Sequence, residues 1–391
     1  MVHWVHLLLK SSYFYGLVIG VSNFEFDWRT GRIFTTARST LYAIVNNGII
    51  VLLLVVYMHG GSDFAARLFK ANKLNEYVVI IMTGLRIAAG ALTVFSRWSQ
   101  RCELKKLVRN VISLVQAKPQ LLQMSRWGIL IKIFTGSVTD LLHMAITFDQ
   151  ISVVESRLFV GLCLQFWMAA LLNLALSQHF LVLLLARAQY NMVNTELRQV
   201  IDESRHLSNH RPRNGTLMSR CCHLADKLED MGKVQSKLQA IISQLGEIFA
   251  FQGIMVYAGY YITSVGGCYL TYSIITNGIE KIGLTQTNII LSFIWCFFYY
   301  LDAIINLFIV LNVQDDHKKM MRLLEERTLF ASGLDVRLEE TFESLQLQLI
   351  RNPLKMEVMK LFSVTRSMTT AMCGSLITHS IFLIQYDMEY F

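Results

Sequence analysis

Residues 158–186 read LFVGLCLQFWMAALLNLALSQHFLVLLLA, 29 positions without a single Asp, Glu, Lys or Arg. At about 1.5 Å per residue, such a helix exceeds the ~30 Å hydrocarbon core of a bilayer. A helix on the surface of a soluble domain would keep a charged face at helical spacing, and this stretch has none. It is therefore a membrane-spanning helix.

Six further apolar blocks flank it, at about 39–58, 75–96, 128–148, 248–275, 289–313 and 362–386. Arg86, Lys132 with Asp140, and Arg366 interrupt three of them, but the surrounding residues stay apolar. Composition agrees: 53% of the residues are hydrophobic and 16% charged, against about a quarter charged in soluble domains. None of the spans contains proline. The expected fold is an all-α membrane protein with seven transmembrane helices over 39–386. A 1–38 segment precedes them and a short tail, 387–391, follows. The opening MVHWVHLLLK has too short an apolar run and no small-residue cleavage site for a signal peptide. Residues 1–22 read instead as an amphipathic segment lying on the membrane or against the bundle.

Lys and Arg set the expected orientation. Of the 36, 28 lie in the N-terminal segment and in 97–127, 187–247 and 314–361, and five lie in the alternate loops. Cytoplasmic loops carry the positive excess, so the N-terminus is read as cytoplasmic and the C-terminus as extracellular. The net charge of +8 is then a topology signal, and with no folded basic domain nucleic acid is not an expected partner. A G-protein-coupled receptor has the opposite orientation. Neither an Asp-Arg-Tyr triplet at the end of the third span nor an in-helix Asn-Pro is found, since Asn352-Pro353 falls in a charged loop. The sequon Asn214-Gly215-Thr216 falls on the cytoplasmic side and should carry no glycan.

Two long loops carry amphipathic stripes. Leu228, Met231, Val234, Leu238, Ile241, Ile242 and Leu245 recur at helical spacing in 187–247, as do Leu324, Leu338, Phe342, Leu345 and Leu349 in 314–361. They either pair into a cytoplasmic helical anchor domain or lie separately on lipid. The seven cysteines give no extracellular disulfide framework, and Cys221-Cys222-His223 has no second ligand pair at zinc spacing. No cofactor, metal site or catalytic residue is expected: there is no phosphate-binding Gly-Lys loop and no nucleophile elbow.

The last span ends in Thr378-His379-Ser380-Ile381-Phe382-Leu383-Ile384-Gln385-Tyr386. With its position at the extreme C-terminus of an inverted seven-span chain, this stretch resembles the closing motif of the insect gustatory receptor family. That motif is Thr-Tyr, five mostly apolar residues, then Gln-Phe. Thr378 and Gln385 match, while His379 stands for Tyr and Tyr386 for Phe. The general likeness covers the whole chain and is greatest to divergent members associated with bitter compounds; residue-level matching covers 378–386.

The resemblance implies a ligand-gated, non-selective cation channel, a homo- or hetero-tetramer with other gustatory receptor subunits. It would lie in the plasma membrane of gustatory receptor neurons, with membrane lipid, permeant cations and a small tastant as partners. It puts Thr378, His379, Gln385 and Tyr386 on or beside the pore wall and an apolar gate among Ile381, Phe382 and Ile384, able to close by dewetting. With a histidine at 379, either the current depends on external pH or the ring faces a neighbouring helix and stays neutral. A ligand pocket is implied among the outer halves of the second to sixth spans. Its candidates are His143, Trp167, Tyr261, Trp295 and Tyr299, with the intramembrane charges Arg86 and Asp302. An ionic group in hydrocarbon must face protein or water, so Arg86 is expected either to pair with Asp302 or Asp140 or to read ligand polarity. The alternatives are a G-protein-coupled receptor and, against a chain with no internal repeat, a transporter.

Overall fold

The computed structural model describes residues 3–22, 24–27, 31–60, 73–151, 156–209, 214–278, 285–328, 335–359 and 361–390. Within them the chain forms eleven helices and two short hairpins: α1 His3–Ile19, β1 Glu25–Phe26, β2 Ile33–Phe34, α2 Ala37–Gly60, α3 Lys73–Ser99, α4 Arg101–Ala117, α5 Gln120–Ile151 and α6 Ser156–Asn209. There follow α7 Asn214–Ile248, α8 Ala250–Asn277, α9 Gln286–Thr328, α10 Val336–Arg351, β3 Glu357–Val358, β4 Phe362–Ser363 and α11 Arg366–Tyr390. Six of these helices are long and apolar enough to cross a membrane, and a seventh span arises if the bent pair α7–α8 counts as one.

The charge-free stretch is the first half of α6, a helix of 54 residues and so roughly 80 Å long. It is the hub of the bundle, packing against α2, α3, α5 and α9. Half of its apolar window is buried, against 6% for α11. Small residues let the helices approach: a Cβ on Gly90 of α3 would come within 2.5 Å of the Met168 sulfur on α6. Without a hydrophobic drive in lipid, such close packing supplies much of the association energy.

Beyond the bundle, α6 and α9 continue as solvent-compatible helices and meet α7 and α10. Leu197, Leu224, Leu228, Met231, Leu324, Leu338, Phe342 and Leu345 form one buried core there. The two amphipathic stripes thus cover each other. Asp335 caps α10 by accepting from the Arg337 backbone N–H, which satisfies a donor the helix cannot.

The fourth and sixth spans extend without a break into the anchor segments, as α6 and α9. Other boundaries differ from the sequence reading. Between α7 and α8 the chain bends by 65° at Phe249, whose ring is held between His179 of α6 (5.0 Å) and the Arg97 guanidinium of α3 (4.7 Å). The last helix begins at Arg366 rather than 362, since Phe362 and Ser363 close the second hairpin after a left-handed Met359 (φ 51°). It also runs through 387–390, read as a tail, where Asp387 accepts from the buried Tyr269 hydroxyl at 3.0 Å.

Helix α1 lies against α5 and α6. The Tyr15 hydroxyl donates to Asp140 at 2.8 Å, and the Trp167 indole N–H donates to the Ile19 carbonyl at 2.9 Å. Gly20 then turns the chain with φ +94°, and a Cβ there would collide with the Asn46 amide. Only glycine meets both demands.

Candidate functional site

Helices α3, α5, α6, α8 and α9 enclose a cavity of about 100 Å³. One wall is aromatic. Trp295 and Tyr299, four residues apart on α9, stack at 5.0 Å with 19° between planes, as the i,i+4 relation on a helix allows. Tyr260 of α8 lies 5.1 Å from Tyr299, and His143 of α5 lies 5.9 Å from Trp295. Arg86 of α3 sets its guanidinium 5.3 Å over the Trp295 ring, a cation–π contact that keeps its charge inside the bundle. The Trp295 indole N–H is buried without a hydrogen-bond partner among the described residues. A ligand can therefore meet apolar faces, a free indole donor and the polar edges of Thr139, Asn173 and Thr263.

The floor is ionic. Asp302 of α9 takes Lys132 Nζ at 2.6 and 2.7 Å, the Thr135 hydroxyl at 2.9 Å and the Asn306 amide at 3.0 Å. Lys132 is 2% exposed and Asp302 5%. The expected pairing of Arg86 with Asp302 or Asp140 is thus replaced. Lys132 takes Asp302, one helical turn from Thr135, while Asp140 accepts from Tyr15 and, at 2.9 Å, from the Asn173 amide. Asp140 is satisfied by neutral donors and Arg86 by an aromatic face.

On its other side α8 holds the last helix. Tyr261, next to the cavity's Tyr260, has its hydroxyl 2.7 Å from Ser375 Oγ and 2.9 Å from His379 Nδ1 on α11. His379 faces this neighbouring helix. Thr378, Ile381, Phe382, Gln385 and Tyr386 are exposed, Phe382 at 65%, and Ile384 is half-buried.

The profile of the family described as 7tm Chemosensory receptor matches residues 9–390. Over 385 residues the chain is 51% identical to the Drosophila melanogaster protein named gustatory receptor 36c, covering 98% of each. It is 50% identical to that organism's gustatory receptor 36a over 391 residues, the full length of both. The chain is an insect-type gustatory receptor of the 7tm chemosensory family.

The receptor's fold agrees with this at longer range. It is similar to the olfactory receptor OR5 of Machilis hrabei with a TM-score of 0.66, covering 98% of this chain and 99% of that one at 11% identity. It is similar also to the same receptor solved in complex with eugenol, with a TM-score of 0.62 and 12% identity. The family is one of membrane receptors rather than enzymes.

Of the seven residues singled out for a ligand pocket, the receptor brings five to one cavity: Arg86, His143, Trp295, Tyr299 and Asp302. Trp167 instead anchors the tip of α1, and Tyr261 turns to α11. Lys132, Asn173 and Thr139 were not among the residues singled out. Lys132 had been noted only as a break in its span, and a polar Asn173 inside a charge-free stretch was the available signal for the second.

Proposed function

We propose that the receptor is a subunit of a ligand-gated, non-selective cation channel opened by a small tastant, of the bitter or aversive kind, binding in the α3–α5–α6–α8–α9 cavity. Four subunits, alike or mixed with other gustatory receptors, surround a pore lined by α11. The N-terminus is cytoplasmic and the C-terminus extracellular, in the plasma membrane of gustatory receptor neurons. Thr378 and Gln385 line the pore, flanked by His379 and Tyr386, and Ile381, Phe382 and Ile384 close it.

The observation that carries this reading is the pairing of consecutive residues on α8. Tyr260 borders the cavity and Tyr261 grips α11, so a ligand that rotates or shifts α8 moves the last helix with it. The exposure of α11 gives a second support, because a span with so little burial in one subunit is fit to meet other copies and a water-filled path. At about 100 Å³ the cavity is smaller than the roughly 300–1,000 Å³ of drug-sized sites. Binding must therefore swing side chains such as Trp295 or select small ligands, which couples occupancy to helix position.

The test is whole-cell recording against a tastant panel with G-protein signalling blocked, beside live-cell labelling of a C-terminal epitope. Ligand-evoked cation current and external labelling are expected. A tag reached only after permeabilisation, or a response lost with G-protein blockade, would overturn the reading.

A further inference from the structure

We infer that the receptor carries a second binding site, separate from the ligand cavity, for an uncharged single-chain amphiphile. A cavity of about 610 Å³ lies between α8, α9, α11 and the β3–β4 hairpin, within the size range of small-molecule sites. Apolar side chains such as Leu307, Val310 and Met372 form most of its walls, and it opens at the surface of the subunit past the exposed Ile304 and Cys373.

One polar group inside lacks any partner. Gln252, on the first turn of α8, is 4% exposed and lines this cavity, yet neither its amide oxygen nor its amide nitrogen has a hydrogen-bond partner among the described residues. Buried amides are paired in nearly all proteins because leaving them unpaired is costly. A head group with both a donor and an acceptor, such as a hydroxyl beside an ester, answers both atoms.

From Gln252 to Tyr260 the α8 wall spans about 12 Å of helix axis, room for an apolar chain. The rim beside Gln252 combines Lys355 with Glu247 and Glu357. With acids outnumbering the base, it gives no net attraction to a fatty-acid carboxylate, so the head is uncharged. Tyr260, Val256 and Leu176 line both cavities, so one layer of side chains separates the two sites. Because α11 forms a wall, an occupant also braces the last helix.

The test uses the full-length receptor in phosphatidylcholine nanodiscs, with a monoacylglycerol bearing a diazirine in its chain. Photolabelling should saturate, compete with unlabelled monoolein, and map to 303–310 or 369–376. Ala303→Trp, which fills the cavity, should reduce labelling at least tenfold. Gln252→Leu, which keeps side-chain volume, should raise the half-saturating concentration about tenfold. Labelling untouched by Ala303→Trp, or confined to other segments, overturns the proposal. If that variant does not fold, an unchanged half-saturation in Gln252→Leu overturns it instead. Labelling present in monomers but lost on assembly gives the cavity to a second copy and overturns it as well. Native mass spectrometry before probe addition tells the sources apart, a retained amphiphile marking a membrane component and an empty site marking one taken from solution. Both support the site. Since the readout is binding, it stands apart from whether the receptor conducts.

Discussion

Replacing Asp302 with Asn leaves the shape of the cavity floor and removes one charge of a buried pair. Lys132 Nζ sits 2.6 Å from Asp302 Oδ2 with both side chains under a tenth exposed. The Asn variant strands an ammonium in the bundle interior, and breaking a buried pair by removing one partner costs about 3–5 kcal/mol. Unfolding entropy of about 2.1 cal/mol/K per residue, taken over 391 residues, gives about 0.8 kcal/mol/K. The midpoint of thermal unfolding should therefore fall by about 4–6 °C, and surface expression with it. The double variant Lys132→Met with Asp302→Leu removes both charges at once, and a packed apolar pair is often as stable as the ions it replaces. It should recover most of the loss. Detergent-solubilised receptor followed by fluorescence-detected size exclusion after heating measures both. Wild-type melting and surface levels in Asp302→Asn, with only the ligand response altered, would refute the structural role and assign the carboxylate to the ligand.

Three other outcomes are expected. Trp295→Phe removes the indole donor of the cavity wall while keeping a ring under Arg86, and should raise the half-maximal tastant concentration up to about tenfold with surface expression retained; an unchanged dose–response curve removes the cavity from ligand binding. Tyr261→Phe deletes the hydroxyl between α8 and α11, a hydrogen bond of about 0.5–1.5 kcal/mol. The open probability at saturating ligand should shift up to about tenfold at constant affinity, and an identical maximal current relative to surface protein counts against α8 as the coupling element. Gln385→Glu adds a ring of carboxylates if α11 lines the pore, so cation-to-anion permeability should rise and conductance change. Reversal potentials equal to wild type would take Gln385 off the pore wall.

Much of the receptor was legible in sequence because a bilayer imposes strong rules. A helix facing lipid must be apolar for its full length, so the spans around 158–186 and 289–313 announce themselves. The stripes of α7 and α10 were readable for a related reason: water on one side and a packed core on the other impose a 3.6-residue period. Helix ends were less legible where no such rule acts. Nothing in Glu247-Ile248-Phe249-Ala250 breaks a helix, yet the chain bends there, where Phe249 meets His179 and Arg97. The hairpin that delays α11 to Arg366 arises from a left-handed Met359, a backbone state that its residue type does not announce.

The candidate site divides the same way. That Arg86, Lys132, Asp140 and Asp302 must lie inside protein follows from the cost of an ion in hydrocarbon, and the sequence alone determined it. Which charge meets which was decided only by tertiary structure, because pairing depends on the rotation of each helix about its axis and on its depth. Those two quantities are set by side-chain packing between helices distant in sequence: Lys132 and Asp302 are 170 residues apart. Aromatic residues could face lipid, neighbours or a cavity with equal chemical ease, so sequence left open which candidates come together: the fold gathers five of the seven around one cavity and turns Trp167 to α1 and Tyr261 to α11. The rotation of α8, turning Tyr260 to the cavity and Tyr261 to the last helix, was fixed by packing alone.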